Sequence, residues 1–247
     1  MIICKEQAGP DLSIRSVRDQ SHCRTCHTRK MCEWSFLGEE QIACLSRAKI
    51  TETYRRNQII YREGSTVRGL YCMMTGLALV LKTDEKGKKA LIRIVKAGEV
   101  FGYRSFFGGG AHSTSCETII GGKICIIPNN HMRGLISRHP ELVLAFLNHA
   151  ARDMQEVGDF YLRIVTGSVR SRLSFFLLKL AESLGSMDGG SLLIDLPLSY
   201  KEVASMIGVR PESLSRAMGK IKAEGLAEFG RGLVRVFEPD IFLAKKI

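Results

Sequence analysis

Between Thr53 and Pro128, short apolar runs alternate with glycines. The runs cover 58–61, 70–74, 77–81, 90–95, 100–101, 117–120 and 123–127. Gly64, Gly69, Gly76, Gly87, Gly98, Gly102 and the pair Gly121-Gly122 punctuate them. Runs this short, bounded by regular turn signals, predict strands of an antiparallel sandwich or barrel. Asp84-Glu85-Lys86-Gly87-Lys88 reads as a polar hairpin tip. Gly108-Gly109-Gly110 lacks both the Lys-Ser/Thr of a phosphate-binding loop and the G-x-G-x-x-G spacing, and reads as a flexible loop.

After His139-Pro140 the period becomes helical. Val143, Phe146, Ala150, Met154, Val157, Tyr161 and Ile164 recur every three or four residues, with Asp153, Gln155, Glu156 and Asp159 as polar flanks. The average step of 3.5 suits a long helix with a narrow seam for a second copy, although one stripe can equally pack on its own domain. Thr166-Gly167-Ser168 ends it.

The C-terminal part opens with an amphipathic helix (Leu173, Phe176, Leu177, Leu180, Leu184), stopped by Gly185 and followed by a loop over 186–190 and a short strand over 192–196. Ser199-Tyr200-Lys201-Glu202 is a capping box. The short helix it starts stops at Gly208, and Pro211 opens a second helix that runs to Gly225. Two short helices about a tight turn form a helix-turn-helix pattern, and the run 229–237, turning at Arg231-Gly232, supplies a wing. The second helix would carry Glu212, Ser215, Arg216 and Lys220 outward. Arg216 suits guanine, Glu212 cytosine, and Ser215 either.

Composition changes this picture little. At 45% hydrophobic and 25% charged residues, the 247-residue chain is ordinary globular protein, long enough for two domains. Its net charge of +11 favours an acidic partner, but it is spread as +3, +5 and +3 over 1–60, 61–168 and 169–247, so it locates no binding face. No apolar run approaches the roughly 20 residues of a membrane span. The N-terminus lacks the apolar core of a signal peptide, so the expected setting is the reducing cytoplasm.

The eight cysteines add chemistry. Cys23, Cys26 and Cys32 form C-x2-C-x5-C on a polar stretch with Arg24, Arg29 and Lys30 between them. Such thiols suit a soft metal or an iron–sulfur cluster. A zinc knuckle is the other candidate, although no second close pair follows. A fourth ligand must come from elsewhere. No Ser/His/Asp or paired-carboxylate arrangement appears, so an enzyme is not expected.

The order β-roll, long helix, winged helix-turn-helix resembles the CRP/FNR transcription regulators over nearly the whole chain, and the cysteine spacing is similar to that of the FNR type. The resemblance implies an α+β fold: a cyclic-nucleotide-binding-like β-roll, a long dimerisation helix and a C-terminal winged helix-turn-helix. The corresponding boundaries are 1–50 for the cluster segment and lead helix, 51–137 for the β-roll, 138–166 for the dimerisation helix and 167–247 for the DNA-binding domain. It implies a [4Fe–4S] cluster on Cys23, Cys26, Cys32 and a fourth cysteine just before a strand-ending proline. In Lys123-Ile124-Cys125-Ile126-Ile127-Pro128 that residue is Cys125, with Cys116 as its rival. Pro211-Glu212-Ser213-Leu214-Ser215-Arg216 looks like the family's E-x-x-S-R motif.

The implied function is an oxygen- or nitric-oxide-responsive regulator whose intact cluster favours a homodimer on palindromic, TTGAT-like double-stranded DNA, working with RNA polymerase. Gly102-Tyr103-Arg104-Ser105 and Ala111-His112-Ser113 lack the glutamate and arginine of cyclic-nucleotide sites, so no cyclic nucleotide is expected. Cys4, Cys44 and Cys72 have no counterpart in the family and are read as non-ligating, the last two as buried. Two alternatives remain: a regulator of the same family answering to haem, zinc or a small effector, and a cluster-bearing redox protein.

Overall fold

The computed structural model describes residues 23–35, 37–239 and 242, so Cys4 lies outside the described residues. Two four-stranded antiparallel sheets face each other. One has the order β1 (Ile50–Tyr54), β8 (Gly122–Pro128), β3 (Gly69–Met73), β6 (Val100–Phe101). The other runs β2 (Ile59–Tyr61), β7 (Ser115–Ile120), β4 (Leu77–Thr83), β5 (Lys89–Lys96). All seven expected strands are present. β1 is an addition; it pairs with β8, and its buried Glu52 is neutralised by Arg68 at 2.7 Å.

Because side chains alternate along a strand, the first sheet has two different faces. Tyr71, Met73, Ile124 and Ile126 point inward to the space between the sheets, where they join Tyr61, Phe101 and Cys116. Leu70, Cys72, Met74, Cys125 and Ile127 point outward, under α1 (Glu39–Ala48), α3 (Asn129–Arg138) and the start of α4 (Glu141–Thr166). The β3–β8 ladder requires glycine near both ends. A Cβ on Gly69 would fall 2.0 Å from the Ile127 carbonyl oxygen, and one on Gly122 would fall 1.9 Å from that of Thr75.

A short helix α2 (Tyr103–Gly108) occupies part of the stretch after β6, and α3 precedes the long helix. α5 (Val169–Leu184) begins the C-terminal domain. The expected loop over 186–190 is instead a hairpin: β9 (Gly185–Asp188) pairs with β10 (Ser191–Asp195), the left-handed Gly189 and Gly190 making the turn. α6 (Tyr200–Met206) and α7 (Pro211–Ala223) follow, then the wing strands β11 (Ala227–Phe229) and β12 (Leu233–Val236). Leu77, Leu79, Leu81 and Leu91 of the second sheet share one apolar core with Phe176, Met206 and Ile207. The Ser205 hydroxyl donates to the Lys89 carbonyl at 3.0 Å, and Lys96 pairs with Glu182 at 2.7 Å, so the C-terminal domain rests directly on the β-roll.

Candidate functional site

Residues 23–35 are a chain of tight turns. The amides of Cys26, Arg29, Met31, Ser35 and Leu37 each bond the carbonyl three residues back, at 3.0–3.4 Å. Three residues per turn place i and i+3 on one side. The cysteine spacings of 3 and 6 are both multiples of three, so the three thiols face the same way. Anchors fix the loop to α1: the Cys23 amide donates to Ser46 Oγ at 2.7 Å, and Arg24 and Arg29 both reach Glu39, at 2.7 and 3.3 Å. Those arginines therefore serve as struts. Trp34 and Leu37 are buried and hold the far end of the loop.

This arrangement brings Cys23, Cys26, Cys32 and Cys125 to one small cavity, floored by Ile42, Leu45, Trp34 and Ile127. Cys125 sits between β1 and β3 with Thr51 Oγ1 at 3.6 Å, Lys49 Nζ at 3.8 Å and Met74 Sδ at 3.1 Å. Burial raises its pKa, while Lys49 and Thr51 oppose the rise. Cys116 belongs to the opposite face, sealed between the sheets, where burial pushes its thiol up strongly. Cys44 is half-buried rather than buried. Cys72 is buried, as expected, and it lines the same cavity as the other four thiols. A hydrogen bond from Cys72 is the largest influence on Cys32 and lowers its pKa, whereas Cys72 itself is pushed well up.

The donor chemistry fits an iron–sulfur cluster. The donors are sulfur, the walls are apolar, and the Lys49 and Arg29 cations lie beside them to offset anionic charge. Among the described residues, no three His, Cys, Asp or Glu side chains close on a single metal ion in this conformation. In this conformation the cavity is about 30 Å³, so a larger centre would seat with the loop moved outward.

Beyond Cys32 the chain meets α4. The Glu33 carboxylate pairs with His149 Nδ1, and the Trp34 ring lies edge-on to Phe146 at 5.8 Å. His149 Nε2 is 3.6 Å from buried Asp153, which also receives Arg93 at 3.1 Å, Arg104 at 3.5 Å and the Tyr103 hydroxyl. Arg93 bonds Glu99 at 2.8 Å. Asp153 is therefore the centre of a buried network rather than a polar flank of a seam.

That network fixes which side of α4 is free. Phe146 is buried against its own β-roll, and Val143, Ala150, Val157 and Ile164 are partly covered. Of the expected seam residues, only Met154 and Tyr161 are exposed. The open stripe is Leu144, Leu147, Ala151, Met154, Gly158, Tyr161 and Val165, an unbroken alternation of three and four. The stripe left open in the single chain is thus rotated from the expected seam, because the apolar residues on the neighbouring side are partly covered by their own chain.

In the C-terminal domain the capping box forms as expected, with Ser199 Oγ accepting from the Glu202 amide at 3.3 Å and Glu202 accepting from the Ser199 amide at 2.7 Å. Gly208 turns the chain with φ +70°, Pro211 opens α7, and Leu214 and Ile221 bury its inner face. Glu212, Ser215, Arg216 and Lys220 are all exposed on the outer one. The Tyr200 hydroxyl donates to the Gly230 carbonyl at 2.7 Å and ties the wing to α6.

Residues 51–139 match the cyclic nucleotide-binding domain family, and residues 171–241 match the Crp-like helix-turn-helix domain; together they take in about two-thirds of the chain. The chain belongs to the CRP/FNR family of transcription regulators. Among CRP/FNR proteins similar to it is the CRP-like cAMP-activated global transcriptional regulator of Mycobacterium tuberculosis, 24% identical over 74% of this chain and 82% of that one. The transcriptional activatory protein AadR of Rhodopseudomonas palustris is 22% identical over 95% and 96% of the two chains. The FixK2 structure from Bradyrhizobium japonicum superposes with a TM-score of 0.68 at 20% identity, over 78% of this chain and 95% of that one. This CRP/FNR chain is therefore a DNA-binding regulator, not an enzyme.

The β-roll interior of this CRP/FNR protein is filled by its own rings. His112 stacks on Tyr61 at 3.8 Å, Tyr71 lies 5.3 Å from both Tyr61 and Phe101, and all four are buried.

Proposed function

We propose that this regulator senses oxygen, or nitric oxide, through a [4Fe–4S] cluster held by Cys23, Cys26, Cys32 and Cys125. The supporting observation is that the loop thiols and Cys125, 93 residues beyond Cys32, share one apolar cavity while Cys116 lies on the other face of the β-roll. Bound there, such a cluster would supply the iron and sulfide that oxygen or nitric oxide attacks. The chain's own residues do the rest. Four tied sulfurs keep the loop docked, and metal–thiolate bonds of this kind can contribute several kcal/mol of ordering. Glu33 and Trp34 then bear on His149 and Phe146, fixing α4. Its open stripe packs on a second copy, and two α7 helices meet half-sites about one DNA turn apart. TTGAT-like half-sites and RNA polymerase are the DNA sequence and further partner that the family resemblance implies.

A cyclic nucleotide has no place in this reading, since Tyr61, Tyr71, Phe101 and His112 occupy the interior and Tyr103 and Arg104 are committed to Asp153. One observation favours a second reading, a small effector: a cleft of about 560 Å³ between the loop, β5, α4 and α5, lined by Arg93, His149, Arg152, Asp153 and Lys179. Sedimentation and operator binding of anaerobic, iron-loaded protein against air-exposed protein test the two. Dimerisation and tight binding confined to the anaerobic sample support the cluster switch. Equal dimerisation in both rejects it.

A further inference from the structure

A four-thiol centre has four places, and the cavity offers five thiols. The fifth, Cys72, is paired with Cys125 in the β3–β8 ladder, and both leave the sheet on the face beneath the loop. The Cys125 sulfur turns towards Met74 Sδ, Thr51 and Lys49. That of Cys72 lines the same cavity and shares a hydrogen bond with the sulfur of Cys32, which also donates to the Arg29 carbonyl at 3.2 Å. One sulfur anchored on the sheet thus touches one carried on the loop. Both are buried, which slows attack by other thiols but leaves the two facing each other.

We propose that Cys32 and Cys72 form a reversible disulfide when the cavity holds no metal centre, making Cys72 a modification site within the sensor. The oxidant class required is a peroxide. The Cys32 sulfur attacks one oxygen of hydrogen peroxide and becomes a sulfenic acid, with release of one water. The Cys72 sulfur then attacks the Cys32 sulfur; the S–S bond forms, the S–O bond breaks, and the hydroxide leaves as water with the proton from Cys72. Two thiols and one hydrogen peroxide become one disulfide and two waters. The bond removes Cys32 from any four-thiol set, so the sensor is not rebuilt until a dithiol reductant reopens it. This significance rests on the cluster reading; the bond itself does not.

The test uses the full chain, stripped of metal with a chelator under reductant, desalted and treated with one equivalent of hydrogen peroxide. Remaining thiols are alkylated, and the protein is digested and mapped by mass spectrometry without reduction. The expected result is a linked pair of peptides carrying Cys32 and Cys72, two hydrogens lighter than the free peptides combined, with two of the eight thiols lost from alkylation. Dithiothreitol should restore both, and Cys72→Ser should abolish the pair. Full alkylation of Cys72 in the oxidised wild type overturns the proposal, as does a map in which Cys32 pairs with Cys26 or Cys72 pairs with Cys125. Iron uptake by the reduced protein is assayed in parallel. Normal uptake without the disulfide sinks this proposal alone, whereas the disulfide without iron uptake sinks only the cluster reading.

Discussion

Glu33 places its carboxylate on the imidazole of His149, so the residue next to the third loop cysteine holds the middle of α4. The loop and the helix are far apart in the sequence, and this pair joins them. Asp153, one turn further along, links the same imidazole to Arg93 on β5 and Tyr103 on α2. A displacement of Cys32 therefore has a direct mechanical route to α4, the helix proposed to meet a second subunit. Replacing His149 with Ala should leave iron content unchanged and weaken anaerobic dimerisation at least about fivefold, the low end of usual coupling energies. Sedimentation equilibrium checks it; dimerisation at wild-type strength would remove this pair from the pathway.

Two neighbours on α4 should behave oppositely. Leu147 is 59% exposed and Phe146 2%. Leu147→Asp is expected to abolish the dimer while leaving the unfolding free energy of the monomer, from urea titration, within about 0.5 kcal/mol of wild type, as for other surface changes. Phe146→Ala is expected to cost about 3–5 kcal/mol of folding stability through the cavity it leaves beside Trp34. The reverse assignment would restore the seam that the sequence pattern suggested.

On α7, Arg216→Ala should cost about 1–3 kcal/mol at a specific operator and relax the preference at one base position. Lys220→Ala, if that ammonium meets phosphate, should weaken all sequences alike and lower the salt slope by about one. Fluorescence anisotropy over a salt series separates the two.

His112 predicts a pH limb. Burial lowers its pKa to about 4, against 6.5 in an exposed imidazole, and its Nε2 has no hydrogen-bond partner among the described residues. Below pH 6.5 the unfolded chain binds a proton that the native state refuses, so stability is full above 6.5 and declines as pH falls towards 4. Urea midpoints at pH 7.5 and 5 should show that decline in wild type and a smaller one in His112→Phe, which keeps a ring on Tyr61. Equal declines would place the titration elsewhere.

Most of the architecture was legible in the sequence, for reasons tied to particular residues. Glycines bounded the strands, and Ser199, Glu202 and Pro211 marked the helix starts with chemistry that acts locally. β1 was less visible because Thr51, Glu52 and Thr53 read as polar; the burial of Glu52 depends on Arg68, which no local pattern reveals. β9 was read as a loop because its residues are all exposed and carry no alternation. On α4 the periodicity was correct, but two apolar faces overlap, and only the packing of Phe146 and Asp153 decides which one stays open. Cys72 looked like a small core residue. Its place opposite Cys125 comes from strand register, and the Glu33–His149 contact comes from tertiary docking, neither of which spacing encodes.

The most direct test of the sensor is iron and acid-labile sulfide per chain in anaerobically reconstituted wild type, Cys125→Ser and Cys116→Ser, with the visible spectrum recorded alongside. The account predicts about four of each and a broad absorption in the wild type and in Cys116→Ser, and loss of both in Cys125→Ser. A wild-type protein that takes up no iron, or a Cys125→Ser protein that keeps its full complement, would contradict it.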